Sequence, residues 1–159
     1  MVINTKCLAG KALNWAVAKA LDIDMFINPF NEVMEKQPEH GPVRFEPSTN
    51  WGQCGPLIEQ FEISLQPPTT RHLNFGRGRG RWEKIEHWTA IVPIQHTNQN
   101  DLKSIGELEI PNIGRATGPT PLIAICRAVV DAKLGESVTA PNDLLEAWWA
   151  SVFNNGDIE

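Results

Sequence analysis

The longest apolar run in the chain lies between Gly118 and Gly135, where from Leu122 to Leu134 only Arg127, Asp131 and Lys133 are charged. A helix apolar around most of its circumference belongs inside a domain. Both ends of this one are written locally. Thr120 suits the N-cap, and Pro121 suits the first helical position, where a missing N–H costs nothing. Lys133 sits against the negative dipole end, and Gly135 supplies a left-handed closing residue. The pattern predicts a buried central helix over 120–134.

Helical spacing recurs twice. Ala9, Leu13, Ala16 and Ala20, with Ala12 and Val17 beside them, predict a helix over 9–21 whose small side chains allow close approach to the central helix. Trp15 falls at the edge of that stripe and is expected to border the core. After Pro141, the pairs Leu144/Leu145, Trp148/Trp149 and Val152/Phe153 repeat every four residues and predict a helix over 142–153.

Alternation with period two marks Phe61, Ile63 and Leu65, and again Trp88, Ala90, Val92 and Ile94. These runs predict an antiparallel strand pair joined by a long loop, with Leu108–Ile110 as a short third strand. Ser48, Thr49 and Asn50 suit a turn. Gly55-Pro56 then suits the start of a short helical turn over Leu57–Gln60. Residues 23–44, broken by Pro29, Pro38 and Pro42, read as an irregular excursion in which Met25, Phe26, Ile27 and Phe30 form a short buried piece. Residues 67–81 end in glycine alternating with arginine, too free in backbone and too poor in apolar area to order itself, and so predict a loop. The fold class expected is α+β: a small antiparallel sheet against about three helices, one domain over 1–154 and a tail at 155–159.

The chain of 159 residues suits one core, and 42% hydrophobic with 21% charged residues is globular rather than disordered material. Its net charge of −5 argues against a general nucleic-acid coat protein. The charge is uneven, however. Arg71–Lys84 holds five basic residues and one acid, a local +4, which leaves −9 on the remainder. Cys7, Cys54 and Cys126 are far apart and odd in number, without zinc-site spacing, so no metal or cofactor is expected. The amino terminus lacks a secretory pattern and no window suits a membrane span, so a soluble, reduced, cytosolic protein is expected.

Three stretches, Leu13–Lys19, Pro47–Glu59 and Gly118–Ala124 continuing to Lys133-Leu134-Gly135, together resemble the phage NinX-like family, a domain of unknown function in tailed phages and prophages. Trp88-Thr89-Ala90 is similar to that family's strand before its last helix. Residues 23–44, the basic segment 71–84 and the Trp148-Trp149 helix look like additions to the family pattern. Asn50 and Cys54 stand where the family more often carries Asp and a small residue. The resemblance implies a phage origin and action in the host cytoplasm. It implies no reaction and supplies no catalytic residues.

Four kinds of chemistry are open on these residues. An enzyme would draw on His87, His96, Cys54, Glu59 or Asp101, but no motif joins any two, and no catalytic residue is assigned. An anion or nucleotide site would use Arg115, Thr117, Gly118 and Thr120 at the amino end of the central helix, joined by Ser48, Thr49 and Trp51 if their turn packs nearby. Such a site would sequester a host signalling nucleotide as an anti-defence function. Against it, Pro119 and Pro121 each remove a donor and no P-loop spacing is present, so an ordinary helix cap is the plainer account. Arg77, Arg79, Arg81 and Trp82 would clamp phosphates and stack on bases of a nucleic acid, the plainer account being a solvated loop tip. Trp148 and Trp149 would anchor a protein interface or self-association. The leading expectation is a non-enzymatic phage accessory protein that binds a host or phage partner, with nucleotide capture and nucleic-acid binding as alternatives.

Overall fold

The computed structural model describes residues 1–97 and 114–146. The expected strand Leu108–Ile110, the Trp148-Trp149 half of the carboxyl-terminal helix and the tail lie outside the described residues.

The first helix, α1 (Gly10–Ala20), follows a short strand β1 (Val2–Asn4). Residues Ala12 to Ala18 are all buried. α1 packs against the central helix on one side and a small sheet on the other, so its apolar face is wider than the stripe of alanines alone. Trp15 is buried, with the Lys19 ammonium 5.0 Å from its ring centroid.

Residues 23–44 are more regular than their prolines suggest. They form a three-stranded antiparallel sheet of β2 (Met25–Ile27), β3 (Val33–Glu35) and β4 (Val43–Arg44). Asn28 makes this possible: its side-chain oxygen accepts hydrogen bonds from the N–H groups of Phe30 and Glu32, each at 2.9 Å, and so reverses the chain. All three prolines fall in the connections. Phe30 rides the turn at 76% exposure and Phe26 is exposed on β2, rather than both belonging to a buried piece as expected.

The next helix, α2 (Trp51–Gln60), is ten residues long where one turn was expected. It starts at Asn50, whose side chain accepts from Gly52 N at 2.8 Å. Pro56 lies inside it and withholds a single i→i−4 donor, so it does not mark the first turn.

The expected antiparallel pairing is present between β5 (Ser64–Gln66) and β8 (Trp88–Val92), with Gln66 opposite Thr89, but the first strand starts later than expected because Phe61 closes α2. The connection between them is not the loop expected. It is a second hairpin of β6 (Thr69–Gly76) and β7 (Arg79–Ile85). The approach to the central helix is likewise a strand, β9 (Gly114–Gly118), which pairs with β8 and completes a sheet of order β5-β8-β9.

The central helix, α3 (Pro121–Leu134), carries the expected amino cap: Thr120 Oγ1 accepts from Ile123 N at 3.2 Å. Gly135 has φ +85° as anticipated, but its ψ of −168° is extended rather than left-handed helical. The chain leaves there directly into β10 (Ser137–Thr139), which pairs with β1, while Thr5 Oγ1 donates to Gly135 O at 2.7 Å. Ala124, Ile125, Cys126, Ala128, Val129 and Val130 are wholly buried between α1 and the β5-β8-β9 sheet.

β9 runs antiparallel along α3 at backbone contact. A Cβ on Gly118 would fall 2.8 Å from Ala124 N, and one on Gly114 would fall 2.6 Å from Ala132 Cβ. Glycines on the strand and alanines on the helix are thus one packing solution. Residues 142–146 are helical, with Leu144 and Leu145 buried. The class is α+β, as expected, but among the described residues the strands form four small antiparallel sheets rather than one.

Candidate functional site

Pro67 and Pro68 end β5, and the chain then turns outward into the β6–β7 hairpin. Its register runs from Thr69 opposite Ile85 to Leu73 opposite Arg81, with a bulge between Asn74 and Gly76. Gly76, Arg77 and Gly78 all take positive φ, at 79°, 53° and 69°, to close the turn. The glycines expected to keep this segment disordered are therefore what allow it to reverse. Order along the strands comes from cross-strand pairs. Arg71 meets Glu83 at 2.8 Å, and the His72 ring meets Trp82 edge-on at 5.0 Å between centroids.

Alternation along the ribbon places Arg79 and Arg81 on one face with Arg71, Leu73 and Glu83. Thr70, His72, Gly80, Trp82 and Lys84 share the other. Gly80 has a specific reason to lack a side chain: a Cβ there would collide with the His72 ring and come within 2.7 Å of Leu73 O. The open space over Gly80 is where His72 stands to brace the indole. Trp82 is 72% exposed, and Phe75, at the bulge, is 64% exposed.

Charge on the hairpin divides cleanly. Arg71 and Lys84 are matched by Glu83 and Glu86. Arg77, Arg79 and Arg81 have no carboxylate partner among the described residues. The hairpin pairs with no other strand among the described residues.

The three stretches that carry the family resemblance meet elsewhere, at a buried junction. Asn14 Oδ1 on α1 accepts from Ser48 N at 3.1 Å. Cys54 Sγ on α2 reaches Leu122 O on α3 at 3.9 Å. A hydrogen bond from the Cys126 thiol holds the Cys54 thiol below the usual range, against burial. The same contact, together with burial, holds Cys126 well above it. Arg127 ties the other side, its guanidinium donating to Leu8 O at 2.8 Å and Thr117 O at 2.9 Å. The Ser48 hydroxyl is buried there without a hydrogen-bond partner among the described residues. Asn14 escaped the reading of the sequence because Leu13 and Trp15 mask it. Its signal was a lone amide within the otherwise apolar run Ala12 to Ala18.

The residues proposed for an anion site are not gathered at one point. Arg115 lies on β9 opposite Ile91, and its N–H donates to Asp131 Oδ2 at 3.3 Å. Asp131 is ten residues beyond Pro121, about 15 Å along the helix axis, so Arg115 belongs to the carboxyl half of α3 and not to its amino end. Thr117 is exposed, with its carbonyl taken by Arg127. Gly118 serves contact with α3. The Thr120 hydroxyl is committed as the cap. Thr49 Oγ1 donates to Glu46 O at 3.3 Å, and Trp51 opens to solvent at the first position of α2.

His87 and Glu59 are exposed, Cys54 is buried, and Asp101 lies outside the described residues. His96 Nε2 pairs with Glu62 Oε2 at 3.0 Å, and the hydrogen bonds from His96 and Gln95 hold the Glu62 carboxyl below its usual range. Among the described residues no group of three His, Cys, Asp or Glu is placed to hold a metal ion, and no helix is long and apolar enough to cross a membrane.

The family model described as Bacteriophage P22, NinX matches residues 4–133, a span that includes both the junction and the hairpin. A search of curated proteins gave no match. The chain belongs to the NinX family of phage proteins.

Proposed function

We propose that this member of the NinX family is a non-enzymatic phage accessory protein that works by binding a host or phage partner, with the β6–β7 hairpin as its contact element. One observation carries this: two exposed aromatic rings, Phe75 and Trp82, stand beside three arginines without acidic partners on a ribbon that pairs with no other strand among the described residues. Tryptophan and arginine are the side chains that most often dominate binding energy at interfaces. Such rings contribute nothing to the domain's own core at these exposures.

The junction supports a different role, that of a scaffold. Its hydrogen bonds join α1 to the turn before α2, α2 to α3, and α3 to Leu8 just before α1, and fix these elements against one another. Nucleotide capture at the amino end of α3 draws no support from the geometry, because Arg115 is far along the helix and Thr120 is occupied as the cap.

The test is a photo-crosslinking amino acid in place of Phe75, with the protein purified gently from infected host cells. A control carries the same group in place of Phe30, which is as exposed but sits on the β2-β3-β4 sheet. Adducts from position 75 and not from position 30 are expected. Equal adducts at both positions, or none at either, would overturn the assignment.

A further inference from the structure

We propose that the partner of the hairpin is single-stranded nucleic acid, with Arg77, Arg79 and Arg81 holding the phosphodiester backbone and Trp82 offering a stacking face to unpaired bases. This rests on the hairpin being the contact element.

Charge argues first. The segment Arg71–Lys84 carries +4 on a chain whose remainder carries −9. A polyanion is drawn to this ribbon and repelled by the rest of the molecule, which confines contact to the hairpin. The three arginines, which have no acidic partners among the described residues, can bind phosphate through their guanidinium forks. Arg79 and Arg81 lie two residues apart on one face, about 6.6 Å along the strand, close to the step between successive phosphates of an extended single strand.

Shape then separates a single strand from a duplex. Paired bases present edges in their grooves, whereas unpaired bases present faces that stack on aromatic rings. Trp82 is 72% exposed and braced by His72 above Gly80, so the indole is held out rather than folded down. A duplex would engage the arginines and leave the indole without a stacking partner. The outer edge of β7 pairs with no described strand. A flexible strand can therefore cross that edge from the arginine face to the indole face. An acidic protein surface fits less well, because the hairpin offers much charge and only two exposed rings to bury.

The experiment is fluorescence anisotropy with the full chain, using a labelled mixed-sequence single strand, the matching duplex and a polyglutamate peptide as probes. The single strand is expected to bind tightest. With three phosphate contacts, its affinity should fall about 20-fold for a fourfold rise in salt. Replacing Arg77, Arg79 and Arg81 together with Ser should abolish binding. Trp82→Ala should weaken the single strand at least about fivefold and leave the duplex unchanged. Melting curves confirm that each variant is folded. Duplex binding equal to single-strand binding and indifferent to Trp82, preference for polyglutamate, or no oligonucleotide binding at low salt would each overturn the proposal. If oligonucleotides fail while position 75 crosslinks to a protein, this proposal falls and the hairpin remains the contact element. If position 75 gives no selective adduct, that broader reading falls as well.

Discussion

The amide N–H of Ser48 donates to the side-chain oxygen of Asn14 at 3.1 Å, with both residues buried, and this bond joins the turn before α2 to the middle of α1. Beside it the Ser48 hydroxyl has no partner among the described residues. The two side chains are therefore unequal. Asn14→Ala strands a buried N–H and should cost about 1–3 kcal/mol. Ser48→Ala removes a polar group that is already unpaired and should be neutral or slightly stabilising. Urea denaturation midpoints decide it, and the opposite order would mean that the junction is assembled differently.

Glycine substitutions should separate by location. Gly114→Ala and Gly118→Ala push a methyl into α3 and should each cost about 1–3 kcal/mol by overpacking. A Cβ on Gly55, inside α2, meets nothing within 4 Å. Gly55→Ala should cost less than either, because the gain in helix propensity is set against the strain of a Cβ on the residue before Pro56. Thermal melts of the three variants check this. Equal losses at all three positions would contradict backbone contact between β9 and α3.

Asp131 should make part of the fold's stability depend on pH. Burial raises its carboxyl above the ordinary 3.8, outweighing the Arg115 amide and Lys6, which pull it down. The neutral form is favoured in the folded state, so the contribution is complete below 3.8 and is lost as pH climbs through the raised folded value. Asp131→Asn keeps an acceptor for Arg115 N and removes the charge. Its stability relative to the parent should improve between pH 4 and pH 7, measured by chemical denaturation. A constant difference across that range would contradict this.

Local signals were legible in the sequence, and signals that depend on register were not. The caps of α3 are readable because Thr120, Pro121 and Gly135 act within one turn of themselves. The strand β8 is readable because Trp88, Ala90 and Val92 alternate; the alternation of Phe61, Ile63 and Leu65 reaches β5 only at Leu65, because Phe61 closes α2. The hairpin is not, since glycine alternating with arginine has no apolar period. Its order rests on pairs such as Arg71–Glu83 and His72–Trp82, which appear only once two strands are aligned. β9 was hidden for a related reason: its contact with α3 is made by the absence of side chains at Gly114 and Gly118. Pro56 drew attention from Asn50, the true start of α2. Sequence adjacency put Arg115 next to the amino end of α3, whereas β9 carries it back along the helix to Asp131.

The most direct measurement follows from how the hairpin is inserted. Gln66 and Thr89 are already paired, so an Asn-Gly turn in place of residues 68–87 should close β5 onto β8 without the ribbon. The shortened protein should melt within about 4 °C of the parent, the shift expected for less than about 1 kcal/mol in a chain of this size. It should also lose its affinity for single-stranded oligonucleotide. Retained affinity in a folded, hairpin-less protein would contradict the account, and collapse of the fold would show that the ribbon belongs to the scaffold.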